Sequence, residues 1–293
     1  MHLGKARAGI PREGASRPSE PMREYVMNKN HFLASLALVG ALGAADAASA
    51  QAIVALVGDN TIALIDPASR KITKSWPVKG VEKLAGIDVR PADGMLYGVT
   101  GNGWIVSIDI KTGAATQKAQ LSEKLKAGVV ATVDFNPAAD RLRIMGSDGT
   151  SHRVNVDDGK VTVDGSHKYA DADAAKGKTS KVVAGAYSNS VKGTKETTLY
   201  NIDASTWTLV RQVPPNDGVL NTIGSLGIKA SEPIAFNIVA LGDSKNDAWL
   251  VSGGTLYSVD LMSGAAKSVG PITNLKGTIR DIAWWPANSM KSM

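Results

Sequence analysis

The 293-residue chain contains no cysteine. That excludes disulfide bridges, thiolate metal ligands and a cysteine nucleophile, so stability must come from a buried core, for which the chain is long enough. Histidine is nearly as scarce. Of four in the sequence only His152 and His167 lie beyond residue 51. A zinc or copper centre wants several imidazoles or acids in one constellation, and two lone histidines are expected at the surface. No serine stands in a nucleophile-elbow setting. Phenylalanine occurs three times, and stretches with helical periodicity are few. The apolar stretch Phe32–Ala45, about 14 residues long, is too short to cross a bilayer core as a helix. Basic residues outnumber acidic ones by 33 to 27, but Lys111, Lys118, Lys124, Lys126 and Lys176 are scattered rather than gathered into a stripe. Nucleic-acid binding is therefore not expected.

What is present begins with a leader. Lys29, the apolar run Phe32–Ala45 and the small residues Ala48-Ser49-Ala50 before Gln51 have the three-part organisation of a secretory signal peptide over residues 27–50. Residues 1–26 read as an extension ahead of the true start at Met27. No cysteine stands at the cleavage site to carry a lipid. Residues 1–50 hold six Lys/Arg and four Asp/Glu, which leaves the remainder at a formal net charge of +4. An exported protein, periplasmic or extracellular, with no membrane span in its mature form is expected, and a monomer.

Glycine is plentiful at 30 copies, as in chains with many tight turns. The stretch Gly86–Gly113, GIDVRPADGMLYGVTGNGWIVSIDIKTG, is the clearest copy of a repeat. It reads as three strands separated by a Pro-Ala-Asp-Gly turn and a Gly-Asn-Gly turn, and the run Ala114–Leu121 adds a fourth. Imperfect copies follow over Val129–Gly165, from Val182 to Gly224, and over Ile234–Ile272. Ahead of them, 52–77 supplies strands two to four of a unit with no first strand. Behind them, 278–286 (TIRDIAWWP) is a first strand with nothing after it. Complementary ends of this kind close a ring in which one blade is shared between the termini, which protects the sheet edges. Positions Asp88, Asp134, Tyr187, Asn237 and Ala283 match one another at spacings of 46, 53, 50 and 46 residues. Four-stranded repeats of that length mark a propeller. The expected architecture is all-β: a five-bladed β-propeller over 51–287, followed by a tail at 288–293.

Several phrases carry a family likeness. RPADGMLYG (90–98), IDIKTGAAT (108–116), NPAADRLRI (136–144) and VPPNDGVLNTIGSLG (213–227) together resemble the bacterial family called domain of unknown function 4394. The resemblance implies an exported, propeller-like protein and brings no established catalytic residues. Asp157-Asp158 departs from the Pro-Asp-Thr type of turn usual at that position.

In such a ring the innermost strands surround a central channel. Alternation sets Asp88 opposite in facing to Ile87 and Val89, and Asp134 opposite to Val133 and Phe135. The channel candidates are therefore Asp88, Asp134, Tyr187 and Asn237, with Glu196, Glu232 and Asp281 next. Two uses present themselves for the acids. As a metal site, Asp88 and Asp134 offer the hard oxygens that suit Ca²⁺, the only cofactor the sequence suggests. As an acid/base pair they suit a hydrolase or lyase acting on a carbohydrate or a lactone. Set against both, aspartates beside turns often hold backbone N–H groups, which is the role expected of Asp109, Asp203 and Asp260 at the ends of third strands. Asp171-Ala-Asp173 lacks the glycine of a calcium loop and reads as solvated. The Trp residues read as packing between blades, with Trp285 and Trp76 as candidate sugar platforms near turn prolines. The expectation that emerges is a non-catalytic propeller binding an extracytoplasmic protein, glycan or small ligand through one face or the channel. The loops 166–181 and 191–196 are among the contact surfaces.

Overall fold

The structure is a computed structural model, and it describes residues 52–242 and 244–285. The leader at 27–50, the extension at 1–26 and the tail at 288–293 lie outside the described residues.

The strands follow in five sheets. β1 (Ala52–Val57), β2 (Thr61–Asp66) and β3 (Lys71–Pro77) come first. Blade 2 is β4 (Leu84–Val89), β5 (Leu96–Thr100), β6 (Trp104–Ile108) and β7 (Ala115–Gln120). Blade 3 is β8 (Ala131–Asn136), β9 (Arg141–Gly146), β10 (Ser151–Val154) and β11 (Val161–Val163). Blade 4 contains β12 (Lys168–Tyr169), β13 (Val182–Tyr187), β14 (Leu199–Asp203), β15 (Thr208–Gln212) and β16 (Val219–Ser225). Blade 5 is β17 (Ile234–Gly242), β18 (Lys245–Ser252), β19 (Thr255–Val259) and β20 (Ala266–Pro271). The last strand, β21 (Ile279–Trp285), returns to pair with β1, so blade 1 runs β21-β1-β2-β3. Ile53 stands opposite Trp284, Val54 opposite Ala283 and Ala55 opposite Ile282. Each innermost strand touches the next around the ring, in the order β21, β4, β8, β13, β17 and back to β21. The five-bladed propeller closed by its C-terminal strand is therefore the fold.

Why the inner strands are apolar on both faces follows from the seams between blades. Successive side chains of a strand point to opposite faces, and here each face meets a neighbouring blade. In β1, Val54 and Leu56 pack with Ile87, Leu96 and Val106 of blade 2, whereas Ile53 and Ala55 pack with Val251 and Leu256 of blade 5. Blades 2 and 3 join through Tyr97, Val99, Phe135 and Ile144, and blades 4 and 5 through Ile202, Leu209, Phe236 and Leu250. The Trp249 and Trp284 rings lie 6.1 Å apart and 16° from parallel at the seam of blades 5 and 1. Trp285 is 6% exposed and Trp76 packs against the cluster between blades 1 and 2. These indoles are spent on packing, and Trp285 is closed to a sugar.

Three local features differ from the sequence reading. Loop 166–181 contains β12, which pairs parallel to β16 through Lys168–Val219 and Tyr169–Leu220. A two-residue parallel pairing leaves no alternation to detect. Asp203 ends the second strand of its blade, not the third, because the insertion at 188–198 lies between strands one and two. Its carboxylate accepts from Lys181 N, Ser205 N and the Tyr169 hydroxyl. His152 is buried at 2% exposure rather than superficial. It stands beside Ile144, whose side chain belongs to the core between blades 2 and 3.

Candidate functional site

The axial layer is built from the free edge of each innermost strand. One edge of such a strand is paired within its blade. The other exposes backbone N–H groups to the axis, where burial without a partner is costly. Aspartates of the preceding blade supply those partners. Asp281 Oδ2 accepts from Ile87 N at 2.9 Å, Asp88 Oδ2 from Phe135 N at 2.8 Å, and Asp134 Oδ1 from Tyr187 N at 2.9 Å. Three of the five seams are stitched in this way. Gly86 lets Asp281 approach, since a Cβ there would stand 2.8 Å from Asp281 Oδ2. Asn237, from blade 5, reaches across the axis and donates through Nδ2 to Asp134 Oδ2 at 3.4 Å.

The structure thus brings Asp88, Asp134 and Asn237 together and adds Asp281. Tyr187 contributes its backbone N–H but not its side chain to this layer. The Tyr187 ring packs instead with Met145, Val210 and Leu220 at the seam of blades 3 and 4. There its hydroxyl accepts from Arg143 Nε at 3.2 Å. Glu196 is exposed on the hairpin insertion, and Glu232 pairs with Lys181 at the rim. Neither is axial.

Asp88 and Asp134 are 4% and 3% exposed. Burial raises the Asp88 carboxyl to about 7, against the opposing pull of the Phe135 N–H. Burial, reinforced by Asp88, holds Asp134 well above the ordinary carboxylate range. Asp281 is raised the same way, by burial first and then by Asp88, although Arg280 pulls it down. These acids are neutral through much of the acidic range. Among the described residues no three His, Asp or Glu side chains are grouped so as to hold a metal ion.

Sequence reasoning missed the buried Arg143. It is 1% exposed and bonds Asp164 Oδ2 at 2.6 Å, Ser151 Oγ at 3.0 Å and Asn216 Oδ1 at 2.8 Å. Arg153 holds the same Asp164 at 3.0 Å. The alternation of RLRIMG makes Arg143 look solvent-facing, and its partners are too distant in sequence to signal otherwise. Arg143 pairs with Asp164 within blade 3 and, through Asn216, joins that blade to the Pro214–Gly218 turn of blade 4.

An open space lies above the axial layer. The inner strands all begin at the face that carries the inter-blade connections. Ala85, Ala131 and Ile234, each three residues ahead of Asp88, Asp134 and Asn237, line a cavity of about 480 Å³ at this mouth. At strand rise the acids lie on the order of 10 Å deeper. The walls include Val99, Leu121, Ile144 and Ile234, and the cations Lys83, Lys124, Lys126 and Arg280, with no acidic residue among the lining groups. A depression of about 710 Å³ adjoins it at Lys83, Thr100 and Gly101 and runs out past Trp104 to Gln117, with Glu82 beside Lys83 in its wall.

Among the described residues no helix is long and apolar enough to cross a membrane. No curated protein matches the chain. Similar solved structures include a protein of unknown function from Bacteroides caccae, 14% identical, with 75% of this chain and 73% of that one covered and a TM-score of 0.43. Another is a structural-genomics protein of unknown function from Bacteroides thetaiotaomicron VPI-5482, 17% identical, with 78% and 63% covered and a TM-score of 0.49. Residues 61–283 match the family described as Domain of unknown function (DUF4394). With its repeats, its ring closure and that match over most of its length, the chain belongs to the DUF4394 family.

Proposed function

We propose that this protein is a non-catalytic, exported binding module that takes its ligand at the channel mouth. The observation that carries this reading is the use already made of the axial acids. Asp88 and Asp134 are buried and accept backbone N–H groups of the next blade, so neither is presented to a substrate. The mouth cavity, in contrast, is open and lined by side chains from several blades, at a size ordinary for small-molecule sites. A ligand outside the cytoplasm follows from the leader at 27–50, and N-terminal sequencing of the exported protein should start at Gln51.

The raised carboxyls favour one rival, a hydrolase or lyase in which Asp88 or Asp134 acts as general acid on a carbohydrate or lactone. A panel of aryl glycosides and aryl lactones separates the two. Incubated with the purified protein, it should show no turnover above buffer. Turnover that disappears in Asp134→Asn while the melting temperature holds would establish the enzyme instead.

A further inference from the structure

We infer that the mouth cavity binds a small amphipathic anion: a free carboxylate on an apolar body. This rests on the reading of the mouth as the binding face and adds the chemistry of the occupant. Four cations converge on one cavity without an acid in its wall. Arg280 is set in place by two backbone carbonyls, with Nη1 donating to Leu84 O at 2.9 Å and to Gly58 O at 3.2 Å. Its other guanidinium nitrogens make no hydrogen bond among the described residues, and its nearest carboxylate, Asp59, stands 3.7 Å away. Lys124 makes no ion pair among the described residues, and its stem lies across Gly103. Among the described residues Lys83 and Lys126 pair with Asp59 and Asp148, each at 3.7 Å, and both lysines are mostly exposed. Such loose surface pairs contribute little, so the positive charge remains available to a ligand.

The floor decides the rest of the ligand. Val130 is 40% exposed, and Leu125, Val129, Ala131 and Pro233 are half-buried in the same wall, which gives the cavity an apolar base among its cations. A bare inorganic anion leaves that base unused, and a neutral lipid leaves the cations unanswered. A carboxylate with a short alkyl or aryl body satisfies both, through charge-assisted hydrogen bonds at the rim and apolar burial at the base. Lys124 and Lys126 ride on the connection between β7 and β8, the segment that bounds one side of the mouth.

Decanoate, decanol and acetate are the probes, used below micelle-forming concentrations. The absence of native cysteine lets Ala127→Cys, at an exposed rim position, carry a single bimane reporter, while calorimetry measures affinity on the unlabelled protein. Decanoate should bind saturably, at least about tenfold tighter than decanol and than acetate, the equivalent of about 1.4 kcal/mol, and shift the reporter. The double variant Lys124→Gln/Lys126→Gln should lose most of the preference for decanoate over decanol and keep its melting temperature. Decanol equal to decanoate, with the reporter still responding, would overturn the anionic class and leave the mouth as the site. Decanoate binding that moves neither the reporter nor with the lysine variant would overturn the mouth itself. No decanoate binding, with or without capture by anionic phospholipid vesicles, would overturn the free carboxylate.

Discussion

A chain truncated before Thr278 is expected to show no cooperative unfolding transition at any temperature. The truncation removes β21, which is the innermost strand of blade 1 although it lies more than 200 residues from its partner β1. Ile279, Ile282, Ala283 and Trp285 are all 6% exposed or less, and they belong to the clusters on both sides of blade 1. Burying one large apolar side chain is worth about 1.5–3 kcal/mol. The deletion also takes away the ladder along β1 and the acceptor of Ile87 N. Losses on that scale exceed much of the 5–15 kcal/mol by which a typical domain is stable. Because a ring has no spare seam, damage in blade 1 reaches blades 2 and 5 together. Differential scanning calorimetry decides the point: a truncated protein with an ordinary transition would mean that the ring does not depend on its last strand.

The second large effect is electrostatic. A carboxyl whose folded pKa lies above its unfolded value contributes stability that is present in full below the unfolded pKa. That contribution is lost as pH rises through the folded value, since over this window the unfolded chain gives up its proton first. For Asp88 the window runs from the ordinary value of 3.8 to about 7. Asp134 and Asp281 act in the same direction. Over that window Asp88 alone should cost the fold on the order of 4 kcal/mol. Asp88→Asn keeps an oxygen for the Phe135 N–H and removes the charge. It should melt like the parent at pH 4 and higher by about 10 °C at pH 8. An Asn variant that melts lower at pH 8 would show that the ionised carboxylate is what the ring requires.

Much of this architecture was legible in the sequence, and the reasons are local. Turn chemistry at Asp109–Gly113 and Asp260–Gly264 marks strand ends. There Asp109 accepts from Lys111 N at 2.7 Å and Asp260 from Met262 N at 2.7 Å. Alternation around Asp88 and Asp134 sets them opposite in facing to their apolar neighbours, and their equal position in successive repeats brings them to one layer at the channel. The unmatched first strand at the C-terminus complements the missing first strand at 52–77 and so dictates the closure. What was not legible depends on non-local geometry. The Tyr187 ring is taken up by the seam of blades 3 and 4 through Met145, Val210 and Leu220. Asp281, two residues ahead of the matched position Ala283, serves the first seam, which no repeat alignment singles out. Arg143 reads as a surface residue until Asp164 and Asn216 arrive from elsewhere in the chain. The mouth cavity is assembled by residues from several blades, none of which forms a motif. The repeats therefore mark the acids, whereas the open cationic cavity lies one level above them.

On the reading proposed above, the axial carboxyls hold neighbouring blades together instead of serving as ionised catalytic or metal-binding groups. Carbon-13 NMR titration of the aspartate carboxyls, assigned by the Asp88→Asn and Asp134→Asn variants, measures this directly. Asp88 should titrate near 7, and Asp134 should retain its proton well above the pH at which half-buried Asp66 and exposed Asp260 have lost theirs. Titration of Asp88 and Asp134 in the ordinary carboxylate range, alongside those two aspartates, would contradict that reading.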